Sequence, residues 1–195
     1  NGRQKKQPSP LAGPWNDVDY MPPPFITPLL EDFLKEELHP WQKQVMELTA
    51  GRNDRDIICI YDPIGDTGKS VFCEFLEYKG LAFDLPFMNS CEDIMQACMG
   101  IAPQKTYTID MPRAVPKKQL NQMYSGIECL KNGVMYDKRY GFKKRRIARP
   151  NIVVFTNVIP DFKMLSLDRW KVYTMQNNFS LVQLDVAERI REMGK

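Results

Sequence analysis

The sequence predicts an α/β protein in three layers, a sheet covered by helices on both faces, and three observations carry that expectation. Ile57, Ile58 and Ile60, and later Ile152–Phe155, form continuous apolar, β-branched runs of the kind found in strands buried on both faces. Between them lie stretches of helical character, Val71–Tyr78, Glu92–Met99 and Lys117–Leu130. The first strand also passes into its helix through a turn rich in glycine, which places any ligand at the carboxyl ends of the strands. With 195 residues, 43% of them hydrophobic, the chain is long enough to bury one substantial core.

The turn reads Asp62-Pro63-Ile64-Gly65-Asp66-Thr67-Gly68-Lys69-Ser70. A strand, a GxxGKS ending and a helix start in that order are a strong signal for a phosphate-binding loop. Glycines let backbone N–H groups turn inward around a polyphosphate, and the positive end of the next helix faces it. Pro63, Ile64, Gly65, Asp66, Thr67, Gly68, Lys69, Ser70 and Val71 are therefore the expected nucleotide contacts, with Lys69 on the β and γ phosphates and Ser70 on Mg²⁺. The pattern departs from G-x-x-x-x-G-K-[ST] at its first glycine: Pro63 stands there, and Asp62 occupies the place one residue earlier. The bland alternative is a tight turn with a solvated lysine, which does not need Gly65, Gly68, Lys69 and Ser70 together.

Residues 1–26, rich in Pro, Gly and charge, read as a flexible linker. Over 27–52, Leu29, Leu30, Phe33, Leu34 and Leu38, then Trp41, Val45, Met46 and Leu48, predict two short helices, either covering the core or contacting another subunit. Residues 53–195 form the main domain. Leu81–Phe87 is read as a strand, and Thr106–Asp110 as another that delivers a carboxylate. An acid ending a strand beyond a phosphate loop is placed to hold Mg²⁺ together with Ser70, and Asp110 is that candidate. Met111 and Pro112 follow where a second acid would stand.

Val134–Tyr140 and Lys143–Val154 predict a hairpin turning near Gly141. From Lys131 to Arg149 the chain carries eight Lys or Arg (131, 138, 139, 143, 144, 145, 146, 149) against Asp137 alone, although the net charge is only +3. Lys138, Arg139, Tyr140, Lys143 and Lys144 at the tip, with Tyr136 and Phe142 interleaved, suit phosphate neutralisation and base stacking on single-stranded DNA. Lys143–Arg146 also reads as a nuclear-import signal, and a charged hairpin is often simply a solvated face. Asn157, after the Ile152–Thr156 strand, is placed to reach a γ phosphate or the attacking water, or to form a turn. Arg169, from the residues alone, reads as a surface ion pair. Leu184, Val186, Ile190 and Met193 give the tail some helical pattern.

Five widely spaced cysteines without a C-x-x-C pair, and His39 as the single histidine, exclude a disulfide framework or a zinc site as the organising feature and fit a reducing compartment. No apolar run approaches the roughly 18 residues of a membrane span, so the chain reads as soluble and intracellular.

Taken in order, His39-Pro40-Trp41-Gln42, the glycine-rich loop, Ile109-Asp110-Met111-Pro112-Arg113, the basic hairpin after Lys131-Asn132-Gly133, Val153–Asn157 and Leu165–Trp170 resemble the superfamily 3 helicase domain of replication-initiator (Rep) proteins of circular single-stranded DNA viruses, nanovirus and alphasatellite types foremost. The likeness covers about Thr27–Met175. It implies an AAA+-like P-loop NTPase, an ATP- and Mg²⁺-dependent 3′-to-5′ DNA helicase that works as a homo-oligomeric ring, usually hexameric, in the host nucleus. It makes Lys69 and Ser70 Walker A, Asp110 Walker B, Asn157 motif C, Lys138 and its neighbours the DNA-gripping B′ region, and Arg169 the arginine finger. It also implies that 27–52 is an oligomerisation segment and that 1–26 tethers a nicking domain, whose His-x-His site a chain with one histidine cannot supply. Two rivals from other classes are a P-loop small-molecule kinase and a non-enzymatic DNA-binding module with a degenerate nucleotide site.

Overall fold

The computed structural model describes residues 25–193. The linker expected over 1–26 lies outside them but for its last two residues. Eight strands and six helices follow in the order α1 (Pro28–Phe33), α2 (Pro40–Ala50), β1 (Ile57–Tyr61), α3 (Lys69–Tyr78), β2 (Phe83–Asp84), α4 (Cys91–Met99), β3 (Thr106–Asp110), α5 (Lys117–Lys131), β4 (Val134–Asp137), β5 (Lys143–Arg146), β6 (Asn151–Thr156), β7 (Trp170–Met175), β8 (Leu181–Gln183) and α6 (Val186–Met193). Two 3₁₀ turns, Phe162–Met164 and Leu167–Arg169, sit between β6 and β7.

Six strands form one sheet in the order β2-β3-β6-β1-β7-β8, parallel except for the antiparallel β7–β8 edge pair. β1 and β6 are central, and all six residues of β6 are buried, which explains their unbroken apolar character. Alternate residues divide between two cores. On one face Cys59, Tyr107, Ile109, Ile152, Val154 and Val172 pack with α4, α5 and Trp170. On the other, Ile58, Ile60, Val153, Phe155 and Tyr173 pack with Phe72 and Leu76 of α3 and with Leu30, Trp41 and Val45. The result is three layers, α/β/α.

Segment 27–52 is thus built into the second core rather than set beside it. Trp41 is fully buried edge-on to Phe72 and Phe155, His39 stacks on Phe179, and Trp41 N donates to Phe179 O at 2.8 Å. Truncating a buried Trp of this kind costs roughly 3–5 kcal/mol. Leu29 and Leu34 remain on the surface.

Several element boundaries differ from the sequence expectation. The strand expected over Leu81–Phe87 shrinks to Phe83–Asp84 at the open edge of the sheet, where Leu85 N still bonds Thr108 O and the pairing then ends. The long second leg of the hairpin divides in two. β5 ends at Arg146, paired only with β4, and β6 begins in the main sheet at Asn151. Pro150 separates the two by restricting Arg149 and offering no donor. The tail contributes β8, which the sequence did not signal, and α6, whose Val186 and Ile190 pack on the first core. α4 and α5 approach closely at Gly126, where even a Cβ would lie 2.4 Å from Ile94 Cδ1.

The amino edge of the sheet is tied by two buried polar side chains. Asn151 accepts from Asn53 N and donates to Thr49 O and Gly51 O. Lys131, at the end of α5 and 0% exposed, donates to Asn53 O at 2.6 Å and Pro150 O at 2.9 Å. Lys131 therefore drops out of the basic surface that the sequence suggested. Its burial pulls the ammonium pKa from 10.5 to about 8, against the pull of Asp56 and Asp54. Between those values the unfolded chain holds the proton that the folded chain has released, so this residue's contribution to stability rises with pH from about 8 to about 10.5. Buried Cys59 and Cys98, both pushed up to about 12, titrate there with the opposite sign, so the effect is read as a difference between proteins. Lys131→Met is expected to lose about 1–3 kcal/mol at pH 7.5 by stripping two carbonyls of their donor. Urea melts should show the gap to the unsubstituted protein widening by pH 9.5.

Candidate functional site

The parallel register sets the carboxyl ends of β3, β6 and β1 side by side, with Asp110 opposite Phe155 and Tyr61 opposite Thr156. Asp62 N extends the pairing to Thr156 O at 2.8 Å, and there the chain leaves the sheet. The loop to α3 takes three left-handed residues, Gly65 (φ 79°), Asp66 (φ 56°) and Gly68 (φ 79°). Glycine suits position 65 twice over, because a Cβ there would also stand 2.7 Å from Arg113 Nη2. Gly68 caps α3, so the first N–H groups of that helix face the space in front of the loop.

Asp62, the departure from the glycine pattern, holds the loop from inside. It is fully buried, and Oδ1 accepts from Ile64 N and Gly65 N, both at 3.0 Å. Oδ2 accepts from Thr67 Oγ1 at 2.7 Å and from Lys69 Nζ at 2.6 Å. Burial alone would raise its pKa, but Lys69, the Gly65 N–H and Thr67 together outweigh burial and hold it below the ordinary 3.8. The carboxylate thus occupies two backbone donors of the loop and the Lys69 ammonium. Asn157 Nδ2 donates to Asp62 O at 3.0 Å.

Across the loop, Ser70 Oγ donates to Asp110 Oδ2 at 2.6 Å. Asp66–Val71, Asp110–Arg113, Asn157 and Leu29 line one open cleft of about 550 Å³. Of the contacts expected from sequence, Asp66, Thr67, Gly68, Lys69, Ser70 and Val71 reach this cleft, as do Asp110 and Asn157. Pro63 and Ile64 are exposed and do not line it, and Gly65 lies buried beneath Arg113. Among the described residues no group of three or more His, Cys, Asp or Glu side chains could hold a metal unaided. The hydroxyl and carboxylate of Ser70 and Asp110 are a hard-oxygen pair that fits Mg²⁺ shared with a phosphate ligand.

Two residues of this region had no role assigned from the sequence. Arg113 is one. The other is Asp84 at the end of β2, which accepts from Thr108 Oγ1 at 3.0 Å. Burial, with the nearby Asp110 charge, raises its pKa despite the Thr108 and Cys73 hydrogen bonds. The signal available was the apolar-then-Asp ending that Phe83-Asp84 shares with Ile109-Asp110.

Arg169 is not at the surface. It is 5% exposed at the foot of β7, with Nε 3.0 Å from Glu128 Oε1 and Nη2 donating to Asn132 Oδ1 at 2.9 Å. The surface ion pair expected for Arg169 belongs instead to its neighbour Asp168, which pairs with Arg55. Within its own chain Arg169 thus contacts the last turn of α5 and its cap. Trp170 pairs with Ile57, so Arg169 lies at the amino edge of the sheet, opposite the cleft.

The β4–β5 hairpin stands apart as its own two-stranded sheet, with Met135 buried as its anchor. Tyr140, at φ 53°, is fully exposed beside Phe142 at 69%. Lys138 lies over the Tyr136 ring and 3.3 Å from Glu92, and Arg139 pairs with Asp137. Lys143 and Lys144 are exposed and make no ion pair among the described residues. Arg145 turns back to Ile101 O. No helix among the described residues is long and apolar enough to cross a membrane.

No protein-family model matches the chain. Sequence relatives are found among alphasatellite proteins. Para-Rep C6 of Subterranean clover stunt C6 alphasatellite is 37% identical over 139 residues, 70% of this chain and 47% of that protein. Para-Rep C3 of Milk vetch dwarf C3 alphasatellite is 34% identical over 139 residues (70% and 47%), and Para-Rep C7 of Faba bean necrotic yellows C7 alphasatellite 31% over 147 (70% and 48%). The chain spans about half the length of these curated relatives. Over some 70% of its length, then, the chain is homologous to the Para-Reps of alphasatellites, which supports a Rep-like family for it.

Proposed function

We propose that this chain is the motor portion of a Rep-like replication protein: a P-loop NTPase of the superfamily 3 type that hydrolyses ATP with Mg²⁺ and translocates 3′-to-5′ on single-stranded DNA as a homo-oligomeric, hexameric ring in the host nucleus. The observation that carries this reading is the Ser70–Asp110 contact at 2.6 Å in a cleft shared with Lys69 and Asn157. A strand-end carboxylate, a helix-start hydroxyl, a lysine and an amide around one space are what phosphoryl transfer needs for positioning and charge stabilisation. The names of the relatives support a role in replication.

In this reading the Lys69 ammonium and the first N–H groups of α3 bind the phosphates, and the Asn157 amide orients the terminal phosphate or the water. Ser70 and Asp110 would hold Mg²⁺, which when bound neutralises phosphate charge. Binding exchanges partners: Lys69 leaves Asp62 for the phosphate. Asp62 therefore sets affinity, because the incoming oxyanion has to compete with a carboxylate already in place. Lys143, Lys144 and Tyr140 on the hairpin meet the DNA strand, cations to phosphates and the ring to a base.

Lys69→Ala is expected to abolish phosphate release from ATP. It also leaves Asp62 buried without its ammonium, so the melt should report a loss of about 3 kcal/mol. Turnover at the unsubstituted rate would remove the site. Asp62→Asn keeps the loop acceptor but loses the charge that holds Lys69, and is expected to tighten nucleotide binding in a fluorescence titration. Weaker binding would make Asp62 a brace rather than a competitor. For DNA, Lys143→Ala with Lys144→Ala should lower the slope of log affinity against log salt by about 1.4 on single strands, and Tyr140→Ala should weaken binding roughly tenfold. A titration showing neither effect would clear the hairpin of contact with the strand.

A further inference from the structure

Arg113 is the one cation of the cleft left without a task. It follows Asp110 by three residues, and its guanidinium folds back over the loop: the point where a Gly65 Cβ would stand is 2.7 Å from Arg113 Nη2, 3.7 Å from Cζ and 3.8 Å from Asn157 Nδ2. Arg113 and the Asn157 amide thus meet over the same glycine at the mouth of the cleft. The side chain is exposed and has neither a hydrogen bond nor an ion pair among the described residues. Its base is held firmly, because Met111 N donates to Phe155 O at 2.9 Å and Pro112 restricts the backbone just before it. An unpaired guanidinium on a stiff support presents a fork of N–H donors that matches two oxygens of a phosphate. Arg169 lies at the opposite edge of the sheet, beside Glu128 and Asn132.

We propose that Arg113 contacts the terminal phosphate of the nucleoside triphosphate from within the same chain and stabilises the charge that develops there during cleavage. This rests on the nucleotide reading of the cleft. In the step itself a water oxygen bonds to the terminal phosphorus and the bond to the bridging oxygen breaks. The electron pair leaves with ADP, and the water proton goes to solvent. Arg113 donates hydrogen bonds throughout and transfers no proton.

The test uses the full chain and its Arg113→Ala and Arg113→Lys variants, with phosphate release from Mg-ATP measured beside affinities for ADP and for a non-hydrolysable triphosphate analogue. Arg113→Ala is expected to lower kcat by at least about tenfold and analogue affinity by roughly fivefold, with ADP affinity unchanged and the melting curve unmoved. Arg113→Lys, which keeps the charge and loses the fork, should fall between. Unchanged kcat and analogue affinity in Arg113→Ala overturn the proposal, and so does an equal loss of ADP and analogue, the mark of a residue that only shapes the loop. Should the alanine variant not fold, the lysine variant decides by the same split. If the unsubstituted chain binds neither nucleotide, the reading of the cleft falls and Arg113 with it; if it turns ATP over and the variants match it, Arg113 alone falls.

Discussion

The buried pair of Asp62 and Lys69, 2.6 Å apart, is the constraint on which the cleft depends. A carboxylate and an ammonium taken out of water at the tip of a central strand are tolerable only if the remaining lone pairs find donors. The loop closes around Asp62 and supplies them from Ile64, Gly65 and Thr67. That closure brings with it the left-handed turns at Gly65, Asp66 and Gly68, the start of α3 at Lys69 and the outward aim of Ser70. The loop is consequently shaped around a negative charge before any ligand arrives.

The sheet supplies the other half of the geometry. Because β3, β6 and β1 are parallel and in register, three segments distant in sequence end on one edge, and Asp110, Asn157 and the loop need no long side chains to converge. This much was legible in the residues. Continuous apolar runs announced β1 and β6, and Gly65, Gly68, Lys69 and Ser70 announced the turn. What was not legible depended on chain segments meeting. Asp62 reads as a missing glycine until the loop folds Lys69 onto it. Arg169 reads as a surface charge until α5 brings Glu128 and Asn132 to the foot of β7. β2 pairs over only two residues at the sheet edge, and β8 is too short and too exposed to carry an alternating pattern.

Charge sorts itself the same way. The basic block that looked uniform from Lys131 to Arg149 is split by the fold. Lys131 locks the amino edge of the sheet, and Arg145 and Arg149 bond to backbone carbonyls. Lys143 and Lys144 keep their charge in solvent beside exposed aromatic rings. Counting cations in sequence therefore overstates the positive surface, and the hairpin holds most of what is left.

Gly126 has a reach beyond its own helix. The hairpin leans on α4 through β4, and α4 packs close to α5 where position 126 carries a bare hydrogen against Ile94. A single methyl there would meet Ile94 Cδ1 at 2.4 Å and its Cβ at 3.2 Å, so the side chain of Ile94 would have to give way at the seam that carries the ribbon. The seat of the hairpin is thus laid some way from its tip, at a seam where a glycine lets two helices meet.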